Sequence, residues 1–93
     1  MISVKFHENV VSLCDTELIG KKFEEGKFSL NISELFYKGE EMDKGQILEV
    51  LENAISMNLV GKKVIDIALD AGFINDGDII AIEGVPHAQI YTR

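Results

Sequence analysis

The chain has 93 residues, 46% of them apolar and 27% charged, the make-up of one ordinary globular domain rather than of a disordered segment. Sixteen acidic against nine basic side chains leave a net charge of −7, a sign that opposes the Lys- and Arg-driven attraction to nucleic acid or anionic membrane. A single cysteine excludes an intrachain disulfide, and no stretch approaches the roughly 20 apolar residues that span a bilayer, so a soluble, cytoplasmic protein of one domain, residues 1–93, is expected.

In chain order, Ile2, Val4 and Phe6 alternate with Ser3 and Lys5, the period of two that marks a half-buried strand. His7-Glu8-Asn9 reads as a turn and Val10 to Cys14 as a second strand, together an antiparallel hairpin. Asp15 is a candidate N-cap for a short helix reaching about Ile19 and stopping at Gly20, and Glu24-Glu25-Gly26 is a breaker. Phe28, Leu30 and Ile32 alternate as a third strand, followed by one capped turn over Ser33 to Tyr37.

From Asp43 the period lengthens. Ile47, Leu48, Leu51, Ala54 and Ile55 follow the helical i, i+3, i+4, i+7 rule, and the helix is expected to end near Met57-Asn58. A second helix is expected from about Gly61 to Ala71, with Gly72 as its stop. Asn75 to Asp78 is a turn. Ile79 to Ile82 reads as a buried fourth strand, Gly84-Val85-Pro86 as a corner, and His87 to Thr92 as a fifth strand. Strands and helices are partly segregated, which predicts an α+β fold: a mainly antiparallel sheet of about five strands, two longer helices packed on one face, and a short helix.

Alternation along the fifth strand sends Ala88 and Ile90 to the helix layer. His87, Gln89 and Tyr91 then share the opposite face with Ser3, Lys5, Ser29 and Asn31, either as a solvated sheet surface or as a recognition surface beside Pro86. His87 has the ring chemistry of a general base, with Asp15, Cys14 and His7 as candidate companions, but no spacing brings these together. The alternative is a ring nitrogen that pins the Gly84-Val85-Pro86 loop. Cys14, just before a helix start, is either an activated nucleophile or a small core residue. Two histidines and one cysteine match no zinc spacing. No metal, no catalytic set and no cofactor are expected.

One internal echo stands out. Leu18-Ile19-Gly20-Lys21-Lys22-Phe23 recurs as Leu59-Val60-Gly61-Lys62-Lys63-Val64. At a helix start, Lys62 and Lys63 sit against the positive end of the dipole, unfavourable by roughly 0.3–1 kcal/mol each. A bound phosphate or carboxylate reverses that sign, whereas exposed lysines that bend into water need no ligand. The glycine-rich stretch of a P-loop is missing.

Cys14-Asp15, Leu18, Gly20-Lys21, Phe23-Glu24-Glu25-Gly26, Asn58-Leu59-Val60-Gly61 and the closing Gly84-Val85-Pro86-His87-Ala88-Gln89 together resemble the archaeal family named domain of unknown function 424. The resemblance covers nearly the whole chain and is most specific in the closing segment. It implies a small, stand-alone, cytoplasmic archaeal protein and transfers no activity or site residue. Where that family has arginine or glutamate beside the two glycine positions, this chain has Lys22 and Lys62, so the paired lysines do not define a family site.

The leading functional expectation is a non-enzymatic binding module that contacts a protein or ribonucleoprotein partner through the C-terminal hairpin, with binding residues Pro86, His87, Gln89, Tyr91, Lys62 and Lys63. Direct nucleic-acid binding and membrane contact are not expected. The alternative is a small-molecule or anion-binding protein, or a small enzyme, that uses His87. A third reading, a structural subunit, predicts an exposed apolar patch that includes Tyr37, Phe36 or Met42.

Overall fold

The apolar sides of the alternating segments have to be covered, and in the computed structural model, which describes residues 1–91, they are covered on both faces of one sheet. The strands are β1 (Ile2–Phe6), β2 (Val11–Asp15), β3 (Lys22–Glu25), β4 (Phe28–Asn31), β5 (Glu40–Met42), β6 (Ser56–Val60), β7 (Ile80–Ile82) and β8 (Val85–Tyr91). The helices are α1 (Glu34–Tyr37), α2 (Lys44–Asn53) and α3 (Lys62–Asp70), with 3-10 turns at Thr16–Leu18 and Asp76–Asp78. Six strands form a sheet in the order β5-β1-β2-β6-β8-β7, and β3 and β4 make a separate two-stranded hairpin. The β2–β6 pairing is parallel, and the other neighbours in the sheet run antiparallel.

The α+β class is therefore as read from the sequence, but the sheet is mixed and has six strands: β5 and β6 join four of the five expected ones, and the expected third strand, Phe28 to Ile32, lies outside it as β4 of the separate hairpin. The added central strand is β6. Its first residues read from the sequence as the end of a helix, because Ala54 and Ile55 continue the apolar spacing of α2. The backbone turns extended at Ala54 (φ −77°, ψ 140°), which ends the helix at Asn53 and feeds directly into β6. Every residue of β6 is buried, since the strand has a layer on each side, so the polar–apolar contrast that marks a half-buried strand is weak. Asp43 starts α2 with a capping box: its carboxylate accepts from Gln46 N–H at 2.9 Å, and Gln46 Oε1 accepts from Asp43 N–H at 3.0 Å.

On one face, Ile2, Val4, Val11, Leu13, Met57, Leu59 and Ala88 meet Ile47 and Leu51 of α2 and Val64, Ile65 and Ala68 of α3. On the other, Cys14, Val60 and Ile82 meet Leu30, Ile32 and Tyr37, contributed by the β3–β4 hairpin, the link that follows it and α1. The two longer helices do share a face, while α1 covers the reverse. Three further expectations change. Glu24-Glu25 lie in β3 rather than in a breaker, the hairpin turning at Gly26 (φ +60°). Ile80 and Ala81 are exposed, because β7 is an edge strand buried only at Ile82. Pro86 lies inside β8 opposite Ala81, and the chain reverses one step earlier, at Glu83 (φ 52°) and Gly84 (φ 80°). Two consecutive positive φ values define a type I′ turn, whose twist suits a two-residue hairpin loop.

Candidate functional site

The segment that carries the predicted contact residues, β8, is divided by its own register. Gly61 N–H donates to Pro86 C=O at 2.9 Å, and Val60 lies opposite His87. Pro86 and His87 thus stand at the end of the sheet where α3 begins, and Tyr91, opposite Ser56, at the other, roughly 17 Å along the strand at ~3.4 Å per residue. Lys62 and Lys63 belong to the first end. Gln89 and Tyr91 are exposed, Tyr91 at 77%. The predicted last residue of the strand, Thr92, lies outside the described residues.

The Gly61–Pro86 bond also sets which way the backbone groups of β8 point. In an antiparallel pair the bonded positions alternate, so Ala88 and Ile90 face β6, whereas Gln89 and Tyr91 direct their N–H and C=O groups outward. β7 pairs only with Val85–His87. Beyond His87 the outer edge of β8 has no ladder partner among the described residues, although the 3-10 turn Asp76–Asp78 packs against the strand.

The groups that suggested chemistry are held by the chain's own backbone. His87 Nδ1–H donates to Leu59 C=O at 3.0 Å, so the ring pins β8 to β6 rather than pinning the turn. Burial lowers its pKa from the ordinary 6.5, against the pull of that carbonyl. Cys14 is fully buried, its Sγ contacts Asp15 C=O at 3.2 Å, and burial, aided by Asp15 and Glu17, pushes the thiol up to about 12. No hydrogen bond or ion pair joins His87 to Cys14, Asp15 or His7 among the described residues. Neither do three or more His, Cys, Asp or Glu side chains converge on a metal-sized site there.

Asp15 does cap a helix, but a distant one. It does not cap the 3-10 turn that follows it; its Oδ2 and Oδ1 accept from Lys63 N–H at 2.9 Å and Val64 N–H at 3.0 Å. The anion at the start of α3 is thus a side chain of the protein itself. Burial raises the Asp15 pKa above its ordinary 3.8, and the two amides pull it back. Gly61 permits the approach: it has φ +112°, and a Cβ there would overlap the Asp15 side chain. Lys62 pairs with Asp66 at 3.2 Å and Lys63 with Glu17 at 3.5 Å, both solvent-exposed pairs. The first copy of the echo, Leu18 to Phe23, enters β3 and caps nothing, so the two copies share letters but not conformation.

The face expected to be open is instead a polar seat for α1. Lys5 Nζ donates to Leu35 C=O at 2.7 Å, His7 Nε2–H and Ser12 Oγ to Phe36 C=O at 2.9 and 2.8 Å, and Ser3 Oγ to Tyr37 C=O at 3.1 Å. A four-residue helix has no internal partners for its last carbonyls, and the sheet supplies them, with the Lys5 cation at the negative end of the dipole. Tyr37 O–H donates to Asn58 Oδ1 at 2.9 Å, and His7 stacks on Phe36 at 4.3 Å. These residues were missed as a set. The only sequence signal was small polar residues, Ser3 and Ser12, at inward strand positions. Tyr37 and Met42 are buried and Phe36 half-buried, so the apolar patch predicted there is absent; Phe6 (62%), Ile55 (67%) and Leu35 (83%) are exposed instead.

An open groove of about 670 Å³ runs between α2 and the β1–β2 turn. Phe6, Met42, Val50 and Ile55 supply apolar wall, Glu8 and Glu49 supply carboxylates, His7 stands at the turn, and none of the described lining residues is Lys or Arg.

A small α+β domain with a two-sided mixed sheet, and with its reactive side chains turned inward, is the class of protein these features define. The chain matches over residues 4–92 the model of the family described as protein of unknown function (DUF424), and it belongs to that family. Its fold is similar to the crystal structure of an uncharacterized conserved protein from Methanopyrus kandleri, with TM-score 0.76 and 26% identity, covering 99% of this chain and 90% of that one. No curated protein matches.

Proposed function

We propose that this protein is a non-enzymatic binding module that contacts a protein or ribonucleoprotein partner through the C-terminal strand. The observation that carries this reading is the outer edge of β8 past His87, where Gln89 and Tyr91 present unladdered backbone groups beside exposed side chains. Such an edge accepts an added strand: main-chain bonds give affinity, and alternate side chains give selectivity. Tyr91 supplies a large amphipathic surface of the kind that anchors interfaces. The inward engagement of Cys14, Asp15 and His87 supports binding over catalysis.

The test is copurification from the native host with Gln89→Pro, Tyr91→Ala and His87→Ala beside the wild type. Gln89 N–H points away from β6, so proline there blocks an added strand while sparing the β6–β8 ladder. A specific partner is expected with the wild type and His87→Ala, and about tenfold less of it with the other two. Equal recovery of every partner by all four proteins counts against the surface.

A further inference from the structure

We infer that the groove between α2 and the β1–β2 turn takes the apolar face of a basic amphipathic segment of a protein partner. It rests on the reading of the chain as a binding module and adds a second contact surface of stated chemistry, separate from the outer edge of β8.

Three observations support the occupant. The volume, about 670 Å³, falls in the ~300–1,000 Å³ range of ligand sites, but the groove is open to solvent, which suits a segment laid along it more than an enclosed metabolite. Its wall includes Phe6 and Ile55, exposed at 62% and 67%, two large apolar side chains in one concavity. Among the described residues that line it, Glu8 and Glu49 are the carboxylates, His7 is the one other titratable side chain, and none is Lys or Arg, on a molecule of net charge −7.

A neutral apolar occupant fills the floor and leaves both carboxylates without a counter-charge, and an acidic one is repelled. A segment with apolar anchors at i, i+3 and i+4 and Lys or Arg between them satisfies floor and rim together. The same charge steers the encounter at long range, so association weakens as salt rises.

The probe is a fluorescein-labelled amphipathic peptide of leucine and lysine, with a leucine–glutamate peptide of the same pattern as its counterpart, titrated by anisotropy into the full chain. The lysine peptide is expected to bind, more weakly at about 0.15 M ionic strength than at low salt, and the glutamate peptide not to bind. Glu8→Lys/Glu49→Lys should weaken binding about tenfold or more, as should Ile55→Asp. Asp70→Lys/Asp76→Lys, which shifts net charge equally but lies off the groove, should bind as the wild type does, and so should Gln89→Pro. Circular dichroism melts confirm that each variant is folded. The inference is overturned if neither peptide binds, if both bind alike, or if the two charge-reversed doubles lose binding equally. Sedimentation showing a dimer that Ile55→Asp dissolves also overturns it, because a second copy then occupies the groove.

Discussion

At the scale of single residues, Asp15 and Gly61 depend on each other across the chain. A buried carboxylate bridges β2 to the start of α3, and only a residue without Cβ fits over it at φ +112°. Asp15→Ala removes an N-cap and is expected to cost about 1–2 kcal/mol in urea unfolding. Gly61→Ala adds both the clash and positive-φ strain and should cost more. His87 offers a pH signature. Its folded pKa lies below the ordinary 6.5, so the unfolded chain binds the proton more readily. Stability from this residue is present above 6.5 and is lost as pH falls from there toward the depressed folded value. His87→Gln should therefore flatten the acid-side fall of Tm just below pH 6.5, read by melts across a pH series. Asp15 has the opposite sign: its raised pKa favours the fold most below 3.8, and that contribution is lost as pH rises through the folded value.

At the scale of elements, α1 illustrates a helix that exists because of what it touches. Four residues are too short for helical cooperativity to hold them in water. Ser33 caps its start by accepting from Phe36 N–H at 3.3 Å, and Lys5, His7, Ser12 and Ser3 take up its carbonyls. Tyr37→Phe leaves Asn58 Oδ1 without its donor in a buried site and is expected to cost about 1–3 kcal/mol, checked by chemical denaturation. The β7–β8 turn is held in the same reciprocal way. Glu83, at positive φ without being glycine, donates its N–H to Glu25 Oε1 at 2.6 Å, and its own Oε2 accepts from Glu24 N–H at 2.7 Å. That exchange ties the turn to the β3–β4 hairpin, which the big sheet does not otherwise include.

At the scale of the whole molecule, two small cores share one sheet, and Cys14 belongs to the one closed by Leu30, Ile32 and Tyr37, with no exposed surface. With its thiol held up to about 12 and no access for reagent, labelling by a disulfide reagent near neutral pH should proceed only through opening of the fold. The rate is expected to rise steeply with urea and to match that of a model thiol only in the unfolded chain. Fast labelling in native buffer would mean that the hairpin layer lifts on its own. No helix of the described residues is long and apolar enough to cross a membrane.

The residues by themselves determined the local elements whose signal is local: the β1–β2 hairpin from strict alternation, α2 from its cap and period, α3 with its Gly72 stop, and the inward Ala88 of β8. The closing Gly84-Val85-Pro86-His87-Ala88-Gln89 segment also pointed to the family. Tertiary structure decided the rest, for identifiable reasons. β6 is buried from both sides and so lacks the contrast that marks a strand, and Ile55 imitates one more helical turn before it. Asp15 finds its helix across nearly fifty positions of chain, where no spacing rule reaches. The polar face of β1 and β2 reads as solvated until α1 is seen to need its donors. What a side chain faces is a property of the partner layer, and the partner layer comes from elsewhere in the chain.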